Sequence, residues 1–358
     1  MKEIRQILGL YDQLKADATP CALAVVVSVA GSSYRRIGAR LLVATDGRYV
    51  GGISGGCLEG DALRRARRAI LSAEPTVHVY DTLDGEDAVI GIGLGCNGRI
   101  EILFVPLNFN DPDNELEVLR RLTDIRTSRV ICRVLQHPSG PSARVFTAEY
   151  FGALAQVLGT DQAAIRDTAV RVRTEGRSQV IVHENPVAAT VLYEILRPEI
   201  HLIVTGTNYD IPPTLAAARH LGWRTTVVGP KRKFTTTLSN LADRLVDYGE
   251  VRQLSVDAAT AVALMSHDYE WDKRMVQHFL PLDPPYFGML GPRKRVVKMD
   301  EELPDFGLQD YPNLYAPVGL DIGAETPEEI AASLVAEILM VFRERDGRAL
   351  RERTTSIH

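Results

Sequence analysis

Two glycine–cysteine segments in the first hundred residues carry the residue types that do chemistry. They are Ser54-Gly55-Gly56-Cys57-Leu58-Glu59-Gly60 and Gly91-Ile92-Gly93-Leu94-Gly95-Cys96-Asn97-Gly98. Glycine lets the backbone adopt positive φ and approach a ligand closely. Leu58, Ala62, Ala66, Ala69 and Ile70 recur at helical spacing, which predicts a helix starting at about Cys57. A thiol at a helix N-terminus is biased toward thiolate, and free amides there attract anions such as phosphate. Glu59 falls in the first turn, either as a proton acceptor or as a favourable charge for the helix dipole. The alternative for both cysteines is a small apolar residue in a chain reversal.

These residues need elements to position them. A helix is expected over residues 2–16, and Ala22 to Val29 reads as a buried strand. Asp46-Gly47, between Ala39–Thr45 and Arg48–Gly51, is a hairpin signal. Val77–Tyr80 and Arg99–Val105 supply further strands. The turn-rich stretch Asn108 to Asn114 marks a boundary. The expected organisation is an α/β domain over residues 1–108, an extension or connecting region over 109–190, and a second α/β domain over 191–358.

In that second domain Ile200–Thr205 is a strand, Gly206-Thr207-Asn208-Tyr209-Asp210 a loop, and Ile211–Leu221 a helix with Asp210 as N-cap and Gly222 at its stop. Trp223–Val228 is the next strand, so the segment is a βαβ unit. Ala261–Met265 and Tyr286–Leu290 read as later parallel strands, and Thr326–Phe342 as the closing helix. A dinucleotide site wants Gly-x-Gly-x-x-Gly and an acid about twenty residues on. Only Gly206 is present, Ile211 stands at the last glycine, and Val228-Gly229-Pro230-Lys231-Arg232-Lys233 has cations where the acid belongs. NAD binding is therefore not expected. A phosphate-bearing ligand and a solvated basic turn remain the alternatives there. His267-Asp268 follows a strand at the carboxyl edge of the sheet, as a ligand-facing pair or as a helix cap beside a solvated histidine. Gly319-Leu320-Asp321-Ile322-Gly323 either holds Asp321 toward the same cleft or is a tight turn.

The 358 residues are 45% hydrophobic and 24% charged, the balance of a globular protein. No apolar run reaches membrane-span length and the N-terminus has no secretory core, so a cytoplasmic protein is expected. Cys21, Cys57, Cys96 and Cys132 form no C-x-x-C pair, which argues against a disulfide framework or a structural zinc, and no metal ligands are assigned. A formal net charge of −5 implies no general nucleic-acid affinity. The arginines at 64, 65, 67 and 68 read as a solvated helix face, and a homodimer is the base-rate expectation.

The chain resembles the xanthine dehydrogenase accessory protein family of the XdhC/CoxI type. The likeness runs through Gly31-Ser32-Ser33, Gly38-Ala39-Arg40, Gly51 to Glu59 and Gly93-Leu94-Gly95-Cys96. It continues through Ser266-His267-Asp268, Asp272, Tyr286 to Gly291, Ala316 to Gly323 and Thr326 to Ala331. Tyr34 and Asn97 depart from the family pattern, where proline and glycine are common. The resemblance implies an N-terminal α/β XdhC/CoxI-like domain and a C-terminal Rossmann-like domain with a parallel sheet. It implies a maturation factor, more a carrier than a stand-alone enzyme. Such a factor binds the molybdenum cofactor (molybdopterin) transiently, assists its sulfuration and inserts it into a xanthine dehydrogenase-type apo-enzyme, with a cysteine desulfurase as sulfur donor. Cys57, Glu59 and Cys96 then do the chemistry. Ser32, Arg40, Ser54, Gly55, Gly56, Gly95, Asn97, Gly206, Asn208, His267, Asp268, Gly291 and Asp321 contact the cofactor. The competing readings are a nucleotide-dependent oxidoreductase built on the second domain and a thiol enzyme using Cys57 on a small substrate.

Overall fold

The computed structural model describes residues 1–31, 33–81, 98–142, 144–184 and 186–354. The chain divides into two units, one ending at Pro198 and the other running from Glu199.

In the first unit α1 (Lys2–Ala16) precedes β1 (Cys21–Gly31). The hairpin β2 (Arg40–Ala44) and β3 (Tyr49–Gly51) turns at Asp46-Gly47 as expected. α2 (Glu59–Ser72), β4 (Thr76–Asp81) and β5 (Gly98–Pro106) follow. The five strands form an antiparallel sheet in the order β3-β2-β1-β5-β4. β1 is central and buried on both faces. Cys21, Leu23, Val25 and Val27 pack with Ile7, Tyr11 and Leu14 of α1. Ala22, Ala24 and Val26 pack with Ala62, Ala66 and Ala69 of α2. Alternate residues of a strand face opposite sides, so two cores demand the unbroken apolar run seen in the sequence.

Residues 109–190 hold α3 (Glu115–Leu122), β6 (Arg129–Gln136), α4 (Phe151–Leu158), α5 (Gln162–Glu175) and β7 (Gln179–His183). With β8 (Ala189–Leu196) they form a second antiparallel sheet, β6-β8-β7. The second domain was expected from Val191, but Val191 lies inside β8, the central strand of this first-unit sheet. A short buried apolar run does not say which sheet it joins.

The second unit is an open parallel sheet in the order β11-β10-β9-β12-β13-β14. Its elements are β9 (His201–Thr205), α6 (Ile211–His220), β10 (Arg224–Gly229), α7 (Thr236–Leu241), β11 (Arg244–Asp247) and β12 (Thr260–Leu264). α8 (Tyr269–Phe279), β13 (Tyr286–Met289), α9 (Arg293–Glu302), β14 (Leu314–Tyr315) and α10 (Pro327–Phe342) complete it. The two apolar clusters of this unit, one including residues of α6 and α10 and the other residues of α8 and α9, cover the sheet. Numbered from β9, the order is the 3-2-1-4-5-6 of doubly wound Rossmann folds, with its switch point between β9 and β12. Thr326 and Glu329 close a reciprocal capping box on α10, at the start read from the sequence. Among the described residues no helix is long and apolar enough to cross a membrane.

Candidate functional site

Each unit has its own candidate region. In the first, Ser54 to Glu59 form a tight turn that enters α2. Helix α2 begins at Glu59 rather than at Cys57, because the turn is closed by side chains before the helix starts. Ser54 Oγ accepts the N–H of Gly56 at 3.2 Å and of Leu58 at 3.0 Å. The Glu59 carboxyl reaches back to accept the N–H of Ser54 at 2.9 Å and of Ile53 at 3.3 Å, and the Ser54 hydroxyl donates to its other oxygen. Gly56 holds φ +111°, a conformation that L side chains rarely adopt, and Gly55 packs beside the Tyr34 ring.

This geometry bears on two expectations. In the segment read as an anion site the amides of Ser54, Gly56 and Leu58 are already engaged by Glu59 and Ser54, so side chains of the chain itself occupy part of the place expected for phosphate. Glu59 has its carboxyl engaged in closing the turn. Burial opposes its ionisation, but the bonds from the Ser54 hydroxyl and from backbone amides outweigh that and hold its carboxyl below the usual range. Cys57 is half-buried against the apolar cluster of α2, whereas Cys21 and Cys132 are buried within strands. Burial pushes the Cys21 thiol up to about 12 and raises that of Cys132 further.

Arg40, expected to contact the cofactor, is 2% exposed and holds the unit together instead. Its guanidinium bonds Glu115 at 2.9 Å and both oxygens of Glu194 at 2.8 Å, while Arg133 pairs with Glu115 at 2.7 Å. The two arginines and two glutamates link β2, α3, β6 and β8. Ser32, Gly95, Cys96 and Asn97 lie outside the described residues.

In the second unit a cleft of about 480 Å³ opens at the carboxyl ends of β9, β10 and β12. Gly206, Asn208 and Asp268, all read from the sequence, line it. Gly206 holds φ +120°, and a Cβ there would stand 2.5 Å from the Met265 carbonyl oxygen. Asn208 Nδ2 donates to the Ser266 carbonyl at 2.9 Å and ties the β9 loop to the β12 loop. Asp268 accepts the N–H of Glu270 and Trp271, so its carboxyl caps α8. His267 is not simply solvated. It sits at φ +55°, and its Nε2 lies 2.7 Å from Oδ2 of Asp210, which is 4% exposed. Asp210 does begin α6, but its carboxyl makes no cap bond.

Gly291 and Asp321 are not brought to this cleft, and Asp321 is exposed in its glycine-flanked turn. Lys231, Arg232 and Lys233, where a phosphate-bearing ligand was one of two alternatives, also line the cleft, as do Asp247, Tyr248 and Trp271, to which sequence reading assigned no site role. The signal available for the cations was their place just after β10. Asp272 is buried, 2.5 Å from both Ser266 Oγ and an Arg295 nitrogen. Burial raises its carboxyl above the ordinary value, and those two partners offset this only in part.

Comparisons with known proteins place this geometry. Residues 14–81 match the model described as "XdhC and CoxI family", and residues 202–338 match that described as "XdhC Rossmann domain". The chain is 27% identical over 334 residues to a probable xanthine dehydrogenase subunit of Bacillus subtilis (strain 168), covering 92% of this chain and 96% of that one. It is 24% identical over 349 residues to the "Molybdenum cofactor insertion chaperone PaoD" of Escherichia coli (strain K12), covering 94% and 88%. A crystal structure described as a xanthine dehydrogenase from Bacillus halodurans superposes with TM-score 0.72 at 27% identity, covering 95% of this chain and 96% of that one.

Proposed function

Because the chain belongs to the XdhC/CoxI family, with the Rossmann domain of that family as its second unit, we propose that it is a maturation factor for a molybdenum hydroxylase. In this reading it carries the molybdenum cofactor as cargo, assists its sulfuration with a cysteine desulfurase as donor, and hands it to the apo-enzyme in the cytoplasm. The observation that carries the reading is the likeness, over 94% of the chain, to a molybdenum cofactor insertion chaperone.

The chemistry of the first unit supports a sulfur role for Cys57. Its thiol is half-buried at the mouth of a rigid turn, and soft thiolate suits molybdenum or a transferred sulfur. Ser54, Gly55 and Gly56 fix the path of that turn, and Glu59 holds it closed. The turn therefore presents the sulfur, while its own carboxyl blocks part of the surface a phosphate would need.

Expression in a host that makes the cofactor tests the reading. The purified protein is expected to hold molybdenum and a pterin that fluoresces after oxidation, and to activate a molybdenum hydroxylase apo-enzyme. A Cys57→Ser variant is expected to keep its fold and much of its cargo while losing activation. A thiol reagent should modify Cys57 well before Cys21 and Cys132. A protein without cargo and without effect on the apo-enzyme sinks the carrier reading. Full activation by Cys57→Ser removes the thiol from it.

A further inference from the structure

The cleft of the second unit combines free positive charge with a helix start that has no amides to offer. A dinucleotide diphosphate normally rests on the N–H groups of the first turn after β9, on the positive end of that helix. Here the Ile211 N–H is bonded to the Asn208 carbonyl at 3.1 Å. Pro212 and Pro213 have no N–H at all, so positions one to three of α6 are empty of free donors. The buried Asp210 carboxyl adds an acidic group at the same place.

The cations lie one strand away. Lys231, Arg232 and Lys233 make a single 3-10 turn directly after β10, and all three are exposed. The lining has two carboxyl groups, and both are committed to backbone. Asp247 accepts the N–H of Lys231 at 2.8 Å and of Gly249 at 3.0 Å, and Asp268 caps α8. Asp247 thus shapes the basic turn through its backbone. Among the described residues no salt bridge joins the three cationic side chains to an acid. The fold supplies a pre-bent cluster of three cations facing a cleft, with the charge of Asp247 beside Lys231 offsetting only part of theirs.

We propose that this cleft is a phosphate-monoester site, in which Lys231, Arg232 and Lys233 grip a terminal phosphate, and that the diphosphate site at the α6 start is closed. A monoester near neutral pH carries almost two negative charges and three acceptor oxygens, against one charge per phosphate in a dinucleotide bridge. Lysine and arginine donors match it through charge-assisted bonds. Two molecules bring that group: a nucleoside with a phosphate on its ribose, and a phosphorylated pterin. The inference goes beyond the carrier reading, and only the pterin source rests on it.

Calorimetric titration of the full chain separates the cases. The probes are adenosine 2′-monophosphate, adenosine, a 6-(hydroxymethyl)pterin phosphate, the same pterin without phosphate, and NAD. At least one monoester is expected to bind, with removal of its phosphate weakening binding by about tenfold or more. NAD is expected not to bind measurably. The Lys231→Ala/Arg232→Ala/Lys233→Ala variant, whose exposed positions leave the fold intact by circular dichroism, should lose about tenfold or more in affinity. Binding of the adenosine monoester alone supports the proposal with a nucleotide source, and binding of the pterin phosphate alone supports it with a pterin source. The proposal is overturned if neither monoester binds, if NAD binds as well as the monoesters, or if the triple variant binds like the parent. Cargo loading and apo-enzyme activation are read in a separate assay, so the carrier reading stands or falls independently.

Discussion

The Ser54–Glu59 turn and the Lys231–Lys233 turn are opposites built from similar sequence cues. Both follow a strand and both contain or adjoin glycine. The first is satisfied from within, because Ser54 and Glu59 consume the amides that glycine freed. The second is tied through its backbone to Asp247, and among the described residues no salt bridge takes up its three cationic heads. A glycine-rich turn before a helix is thus not in itself a ligand site. What decides is whether a side chain two to six residues away already fills it.

Four expected outcomes break or sharpen that contrast. The largest concerns the scaffold that carries the first turn. Arg40→Ala leaves Glu194 and part of Glu115 buried without a partner, which should cost about 3–5 kcal/mol. Urea denaturation measures it, and a loss below about 1 kcal/mol would mean the group behaves like a surface pair.

Next is the closed turn itself. Gly56→Ala must hold a side chain at φ +111° and should cost about 1–3 kcal/mol although its Cβ meets open space. At Gly55 a Cβ would only touch the Tyr34 ring at 3.5 Å, so Gly55→Ala should stay within about 0.5 kcal/mol. Equal costs at both positions would show that the backbone conformation is not the constraint.

Glu59→Gln should cost about 1 kcal/mol, the scale of a lost cap. The folded carboxyl titrates below its ordinary value of 4.5, so its stabilisation is present above that value. It is lost as pH falls through the lower folded value. The gap between parent and Glu59→Gln should therefore narrow on acidification in this window. A gap independent of pH would assign the cost to packing.

The smallest effect is expected in the other turn. Arg232→Ala removes an exposed cation without a salt bridge among the described residues and should change stability by no more than about 0.5 kcal/mol. A larger loss would make that turn as structural as the first and erase the contrast.

Local signals are legible in the sequence and long-range ones are not. The Asp46-Gly47 hairpin, the helix at residues 2–16 and the Thr326-Pro327 start of the last helix all follow from turn, periodicity and capping chemistry. Four parallel strands of the second unit, β9, β10, β12 and β13, follow from their short apolar runs, whereas the short β11 and β14 do not. The structural role of Arg40 is hidden because its partners lie 75 and 154 residues away, a distance over which no pattern in one sequence speaks. The closure of Ser54 by Glu59 spans five residues, yet helical periodicity masks it by placing the helix start too early. The cations at 231–233 and Asp268 are visible as residues, but Asp247 and the cleft that gathers them come into view only with the sheet order.

The double-sided burial of β1 has a consequence for how the first unit comes apart. Its odd residues belong to the core that also takes in Ile131, Leu135, Leu192 and Leu196 of the second sheet, and its even residues to the core under α2. Neither layer can open without baring one face of the same strand. The amides of β1 should then exchange with deuterium only through whole-unit unfolding, while those of the Ser54–Glu59 turn exchange sooner. A fragment cut after residue 108 would lose Leu116, Leu119, Ile131 and Leu192 from that shared core, so the unit is expected to fold only as one piece.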